Sequence, residues 1–237
     1  MAEYGVRYRN SSNVLQIDGR YRNLQLIAKG ADVPDQTSPS SGGFNYPNAW
    51  KSLNFTGVAN PVMAIRCVDP AYFAGNATGA GAFTFRLYRP KTASSAIEWW
   101  LFDDVKPTSL PPGWGRRIRN KDTNEVVYDS RIPPFRVVDQ IAPFTMPVSG
   151  TADYSYPAGK KYAYTSAKMA ARHTNQGAST VLISREYSFC KATVGGISLS
   201  WNVDFTWVGN VEDVPSGQPA PFNSSLTSWL VVDVTNL

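Results

Sequence analysis

A chain of 237 residues, 43% hydrophobic and 17% charged, carries enough apolar material for one large or two ordinary folded units. Its 35 Gly and Pro residues are too few and too scattered for a fibrous or disordered chain, and nowhere do about 20 apolar residues run together as a membrane helix requires. The net charge of +5 comes without Lys/Arg runs, the densest cluster being Arg116, Arg117, Arg119 and Lys121; it is read as solvated strand faces, and neither nucleic acid nor membrane insertion is expected. The opening MAEYGVRYRN lacks an apolar signal segment, so a soluble protein outside the standard secretory route is expected.

In chain order, apolar runs bounded by turn residues predict strands at 4–9, 14–17, 24–28, 62–68, 82–88, 97–102, 114–119, 125–128, 135–138, 181–189, 197–207 and 229–234. The clearest is ISLSWNVDFTW. Ile197, Leu199, Trp201, Val203, Phe205 and Trp207 fall on one face, and the intervening polar residues fall on the other, a period of two that requires a strand with one buried side. Clusters of Gly, Pro, Asn and Ser predict long loops at 30–48, 69–81, 106–113, 142–160 and 209–225. No stretch shows a helical period; TSAKMAARH is at best a short helix. The predicted fold is all-β and β-sandwich-like, with long loops.

Little in the chain suggests acid–base chemistry. The single histidine, His173, sits in the polar stretch ARHTNQGAS, read as an exposed loop, and no serine lies in a nucleophile elbow. Cys67 and Cys190 are far apart in strand-like runs, which predicts buried free thiols and no zinc site. The acidic pairs Asp103–Asp104 and Glu212–Asp213 lack calcium-loop spacing, and no phosphate-binding loop is present. No catalytic residue, metal or cofactor is assigned. Candidate contact residues are the aromatics of two loops: Tyr46 and Trp50 in GGFNYPNAW, and Tyr154, Tyr156, Tyr162 and Tyr164 with Lys160 and Lys161 in YSYPAGKKYAY. Rigid rings beside polar groups give contact area at low entropic cost, although the same rings could simply cover the ends of a sandwich.

The sequence also repeats itself. YGVRYRNSSNVLQIDGR, from Tyr4, and WGRRIRNKDTNEVVYDSR, from Trp114, share an aromatic, a Gly, basic residues, Arg-Asn, a polar turn, an apolar run and Asp-small-Arg, with one inserted residue between the two alignments. Six residues beyond Asp18 and Asp129, new apolar strands begin at Leu24 and Phe135. Near the far ends, Trp99 and Asp103 recur as Trp229 and Asp233 with three apolar residues between. These similarities predict two tandem related halves, 1–110 and 111–237, packed separately or as one unit.

The two opening units resemble small virion proteins of tailed bacteriophages and prophages from the tail-tip and tail-fibre regions. Those often begin Tyr-Gly, strand, Asn, turn, and a strand ending Asp-Ser or Asp-Gly, repeated in mid-chain. Here Trp114 replaces the more usual Tyr, and Asn13 and Asn124 stand where a turn Gly is usual. The resemblance implies a non-enzymatic tail-tip structural protein acting in tail assembly or host attachment. It would work as a ring or trimer beside other tail-tip subunits, with a bacterial surface glycan or protein as a further partner the resemblance allows, and be made in the host cytoplasm before entering the virion. The alternatives are a carbohydrate-binding β-sandwich module and, further off, a glycan-degrading enzyme, which would need two carboxylates across a cleft.

Overall fold

A computed structural model describes residues 7–9, 15–18, 24–38, 44–104, 112–120, 122–146, 150–168, 171–176, 180–210, 222–224 and 226–237. They form strands and connections without a helix, so the protein is all-β and sandwich-like, with no helix long and apolar enough to cross a membrane among the described residues. In chain order the strands are β1 (Arg7–Arg9), β2 (Leu15–Asp18), β3 (Gln25–Asp32), β4 (Gln36–Thr37), β5 (Phe44–Asn45), β6 (Asn48–Thr56), β7 (Val62–Arg66), β8 (Tyr72–Gly79), β9 (Ala82–Pro90) and β10 (Ile97–Asp103). They continue with β11 (Arg117–Arg119), β12 (Val126–Asp129), β13 (Val137–Thr145), β14 (Thr151–Ser155), β15 (Tyr162–Lys168), β16 (Ala171–Gln176), β17 (Thr180–Thr193), β18 (Gly196–Asn210), β19 (Phe222–Ser224) and β20 (Leu226–Asp233).

The central sheet has the order β13-β20-β15-β7-β10-β3, which reads alike from either edge. β3 corresponds to β13, β10 to β20 and β7 to β15, and the two middle strands pair antiparallel at Ile65 and Tyr164. The irregularities correspond as well. A bulge in β3 skips Ile27, so that Leu26 faces Phe102, and one in β13 skips Val138, so that Val137 faces Val232. At one end the two edge strands meet, through Leu26 N donating to Pro133 O (2.8 Å) and Phe135 N donating to Leu24 O (2.9 Å).

Two further sheets cover one face of this sheet, in the orders β4-β6-β9-β8 and β14-β18-β17-β16-β19. The layer between holds Met63, Ile65, Trp99, Leu101, Tyr164, Trp229 and Val231 from the central sheet against Phe85, Leu87, Ile197 and Leu199. The opposite face buries a smaller cluster, Ala64, Trp100, Phe102, Ala163 and Val232, under Leu24, Leu26, Phe135 and Leu237. The central strands are therefore apolar on both sides, and burying each large side chain contributes about 1.5–3 kcal/mol. Both clusters draw on both halves of the sequence.

The repeated openings are hairpins with one register. In β1–β2, Arg7 faces Asp18, Tyr8 faces Ile17, and a bulge brings Arg9 opposite Leu15. In β11–β12, Arg117 faces Asp129, Ile118 faces Tyr128, and a bulge brings Arg119 opposite Val126. Asn124, at the usual place of a turn Gly, has φ 58°; Asn is among the residues that tolerate this left-handed region. Tyr4 and Asn13 lie outside the described residues, as do 105–111, where the halves were expected to join.

Several sequence-based expectations need correction. β6, β8, β14 and β15 fall partly or wholly in stretches read as loops, and TSAKMAARH supplies parts of β15 and β16 instead of a helix. His173 lies on β16, opposite Arg185 and Phe222, and not in a loop.

Candidate contact surface

The strand that follows YSYPAGK decides the fate of its aromatics. β15 sits in the middle of the central sheet, so its alternate side chains point into the main core. Tyr162 and Tyr164 are buried there, at 4% and 0% exposure, and are corrected from candidate contact residues to core residues. The Tyr164 hydroxyl donates to Cys190 O (2.6 Å), its ring meets Trp229 edge-on, and burial pushes its pKa well above that of a free phenol. The Tyr162 hydroxyl donates to Pro157 O (2.9 Å). Tyr164→Phe is expected to cost about 1 kcal/mol of stability in urea denaturation; a change in surface binding at unchanged stability would contradict this placement.

Tyr154 on β14 and Tyr156 just beyond it are half-buried against the same core. The Tyr156 hydroxyl donates to Asp139 Oδ2 (2.9 Å), and burial followed by that carboxylate raises its pKa far above the usual value. Lys160 remains half-exposed, with Nζ 3.3 Å from Asp233 Oδ2. Lys161 Nζ binds Glu98 Oε1 (2.5 Å), while Arg66 Nη1 binds Oε2 (2.9 Å), and Lys161 also lies over the Trp100 ring. This ion triad joins β7 and β10 to the start of β15, across the two halves. In the other loop Tyr46 is half-buried, and Trp50 belongs to β6, its ring capped by the Arg86 guanidinium at 4.4 Å. The eight residues therefore do not converge on one surface.

The hairpin β11–β12 presents what those loops do not. Trp114, just ahead of β11, is fully exposed, and Arg116, Arg117 and Arg119 are exposed beside it. The buried Asp129 carboxylate organises the base of the hairpin. It accepts from Arg131 Nε and Nη2 (2.9 and 2.6 Å), Arg117 Nε (2.8 Å) and Arg131 N (3.0 Å). The Arg131 hydrogen bonds, foremost, outweigh desolvation and hold its pKa far below the carboxylate range. A Cβ on Gly115 would lie 2.6 Å from Arg131 Cγ, so the Gly of the aromatic-Gly pair leaves room for the arginine that the Asp holds. Gly115 and the Asp-small-Arg ending are thus one packing unit. These arginines stand out in the sequence, whereas Trp114 is not among the contact residues expected from it; an aromatic between two glycines, Gly113 and Gly115, beside a basic strand was the available signal.

The described carboxylates with displaced pKa values are held in their charged form by structural partners. Burial opposes ionisation of Glu98, yet Lys161 and Arg66 outweigh it; burial opposes that of Asp233, yet Thr235, Arg136 and Lys160 outweigh it. Asp103, fully buried, accepts from the backbone N–H groups of Ala59 and Asn60 (2.8 and 2.9 Å), pinning the β6–β7 turn. Asp233 receives Lys160 from the β14–β15 connection, the corresponding place in the other half. The repeated Trp-to-Asp ending therefore marks a strand whose last carboxylate ties down the loop before the sheet's middle strand. Cys67 and Cys190 are buried free thiols, their pKa values raised chiefly by desolvation. Among the described residues, no three His, Cys, Asp or Glu side chains gather as a metal site. Comparison with protein-family models, curated proteins and solved structures found no match.

Proposed function

We propose that this chain is a non-enzymatic structural protein of a bacteriophage tail tip, acting in tail assembly or host attachment. The observation that carries the reading is the aromatic-Gly…Asp-small-Arg unit. It underlies the resemblance to tail-tip proteins, occurs twice with one hairpin register, and in its second copy is organised by Asp129. The carboxylates engaged in structural pairs agree with a scaffold, as does a core shared by the halves. Its partners would be other tail-tip subunits and further copies of itself. Contact would fall to Trp114 and the arginines beside it, with Lys160 and the exposed parts of Tyr46 and Trp50. Immunogold labelling of phage particles from the source culture is expected to place this protein at tail tips. Particles that stay unlabelled while the antigen remains free in the lysate would retire the reading.

The fully exposed Trp114 ring also favours a second reading, a glycan-binding module, because an uncovered indole face is suited to stacking on a sugar. Glycan binding by the isolated protein that disappears in Trp114→Ala at unchanged stability is the result that reading requires.

A further inference from the structure

The hairpins β8–β9 and β17–β18 turn at equivalent glycines, Gly81 and Gly195, both at positive φ (66° and 75°). Counting from those turns, the inward residues of β9 are Phe83, Phe85, Leu87 and Arg89; those of β18 are Ile197, Leu199, Trp201 and Val203. The two series match until the last position, where one half has valine and the other arginine. Arg89 is nevertheless buried, at 5% exposure. Its Nη2 donates to Pro34 O at 3.3 Å, while the buried Nε and Nη1 donate to nothing.

Among the described residues no carboxylate forms an ion pair with this guanidinium. Asp35 faces Lys51, and Asp69 accepts from Ser95 N. The Cys67 thiol, which feels the Arg89 charge, has its pKa raised by burial and therefore stays neutral. A guanidinium cannot shed its proton inside a protein, and a buried cation with no counter-charge is strongly disfavoured. Valine at the matching position of the other half shows that the architecture itself does not require a charge there. Unsatisfied buried donors on an obligate cation are what a bound anion would complete.

We propose that Arg89 is the core of a small-anion site between the sheets, taking one halide, phosphate or carboxylate ion on its free Nε and Nη1 donors. This goes beyond the tail-tip reading and does not rest on it. The test is thermal unfolding of the full chain at constant ionic strength. Sodium chloride, phosphate or acetate progressively replaces sodium gluconate, whose anion is too bulky for such a site. The wild-type midpoint is expected to rise and saturate with at least one of these anions, by about 5 °C in all. Arg89→Val, which copies the other half, is expected to show no such rise. Parallel behaviour of wild type and variant in every salt would overturn the site. Should Arg89→Val fail to fold, the chlorine-35 NMR line width of the wild-type protein in chloride decides. Excess broadening that phosphate or acetate removes supports the site; its absence overturns it.

Discussion

Replacing Trp229 with alanine is expected to lower the unfolding free energy by about 3–5 kcal/mol, the largest single-residue effect in this fold. Trp229 is 1% exposed on β20, between β13 and β15, opposite Ile141 and Ser166, and packs against Tyr164. The cavity would open where the two halves share their core, so little can collapse to fill it. Phenylalanine separates volume from polarity. Trp229 Nε1 is buried without a hydrogen-bond partner, so Trp229→Phe removes an unsatisfied donor along with part of the ring. The corresponding Trp99 donates Nε1 to Asp32 Oδ2 (2.8 Å), and Trp99→Phe takes a partner from a carboxylate. Urea denaturation is expected to give a cost for Trp229→Phe about 1 kcal/mol below that for Trp99→Phe. Equal costs, with unchanged m-values, would contradict the difference in pairing.

Asp129→Asn is expected to cost about 2–3 kcal/mol at neutral pH, since it weakens charge-assisted bonds to Arg131 and Arg117 at once. The same variant should flatten the acid limb of stability. The folded Asp129 carboxyl titrates well below its unfolded counterpart, which lies near ~3.9. The unfolded state therefore takes up the proton first as pH falls. The stabilisation is full above the unfolded pKa and is lost below it, down through the lower folded value. Urea midpoints from pH 7 to about pH 2.5 are expected to fall more steeply for wild type than for Asp129→Asn. Glu98, Asp153 and Asp233 also have lowered pKa values, but both proteins keep them, so the difference between the two limbs belongs to Asp129. Superimposable limbs would mean that the Asp129–Arg131 pair adds nothing to folding.

Both residues belong to features the sequence displays openly. The alternation of 197–207 is a strand because side chains two apart share one face of an extended chain, and β18 runs from Gly196 to Asn210 accordingly. The two openings are hairpins because the polar turn, the left-handed Asn124 and the Asp-small-Arg ending all act within about 20 residues of chain. The Trp-to-Asp endings were visible for the same reason, although the loop-tying role of their carboxylates was not.

What escaped the sequence depended on neighbours. AYFAGNATG was read as a loop because β8 is exposed from Ala74 to Gly79, so small polar and apolar residues alternate without a pattern. The spacing of Tyr162 and Tyr164 placed them on one face of any strand. Only the position of β15 between β20 and β7 turned that face into the core and took the candidate contact surface with it. The charge of Arg89 was equally plain, but its burial at a position matched by Val203 appears only when two hairpins are laid beside each other. Local alternation, turn chemistry and the repeat were determined by the sequence alone, because each rests on residues close together along the chain. Which faces became interior was decided by tertiary structure, because burial belongs to the pairing of strands as much as about 160 residues apart, such as β5 with β18, and the ends of β3 and β13 with each other.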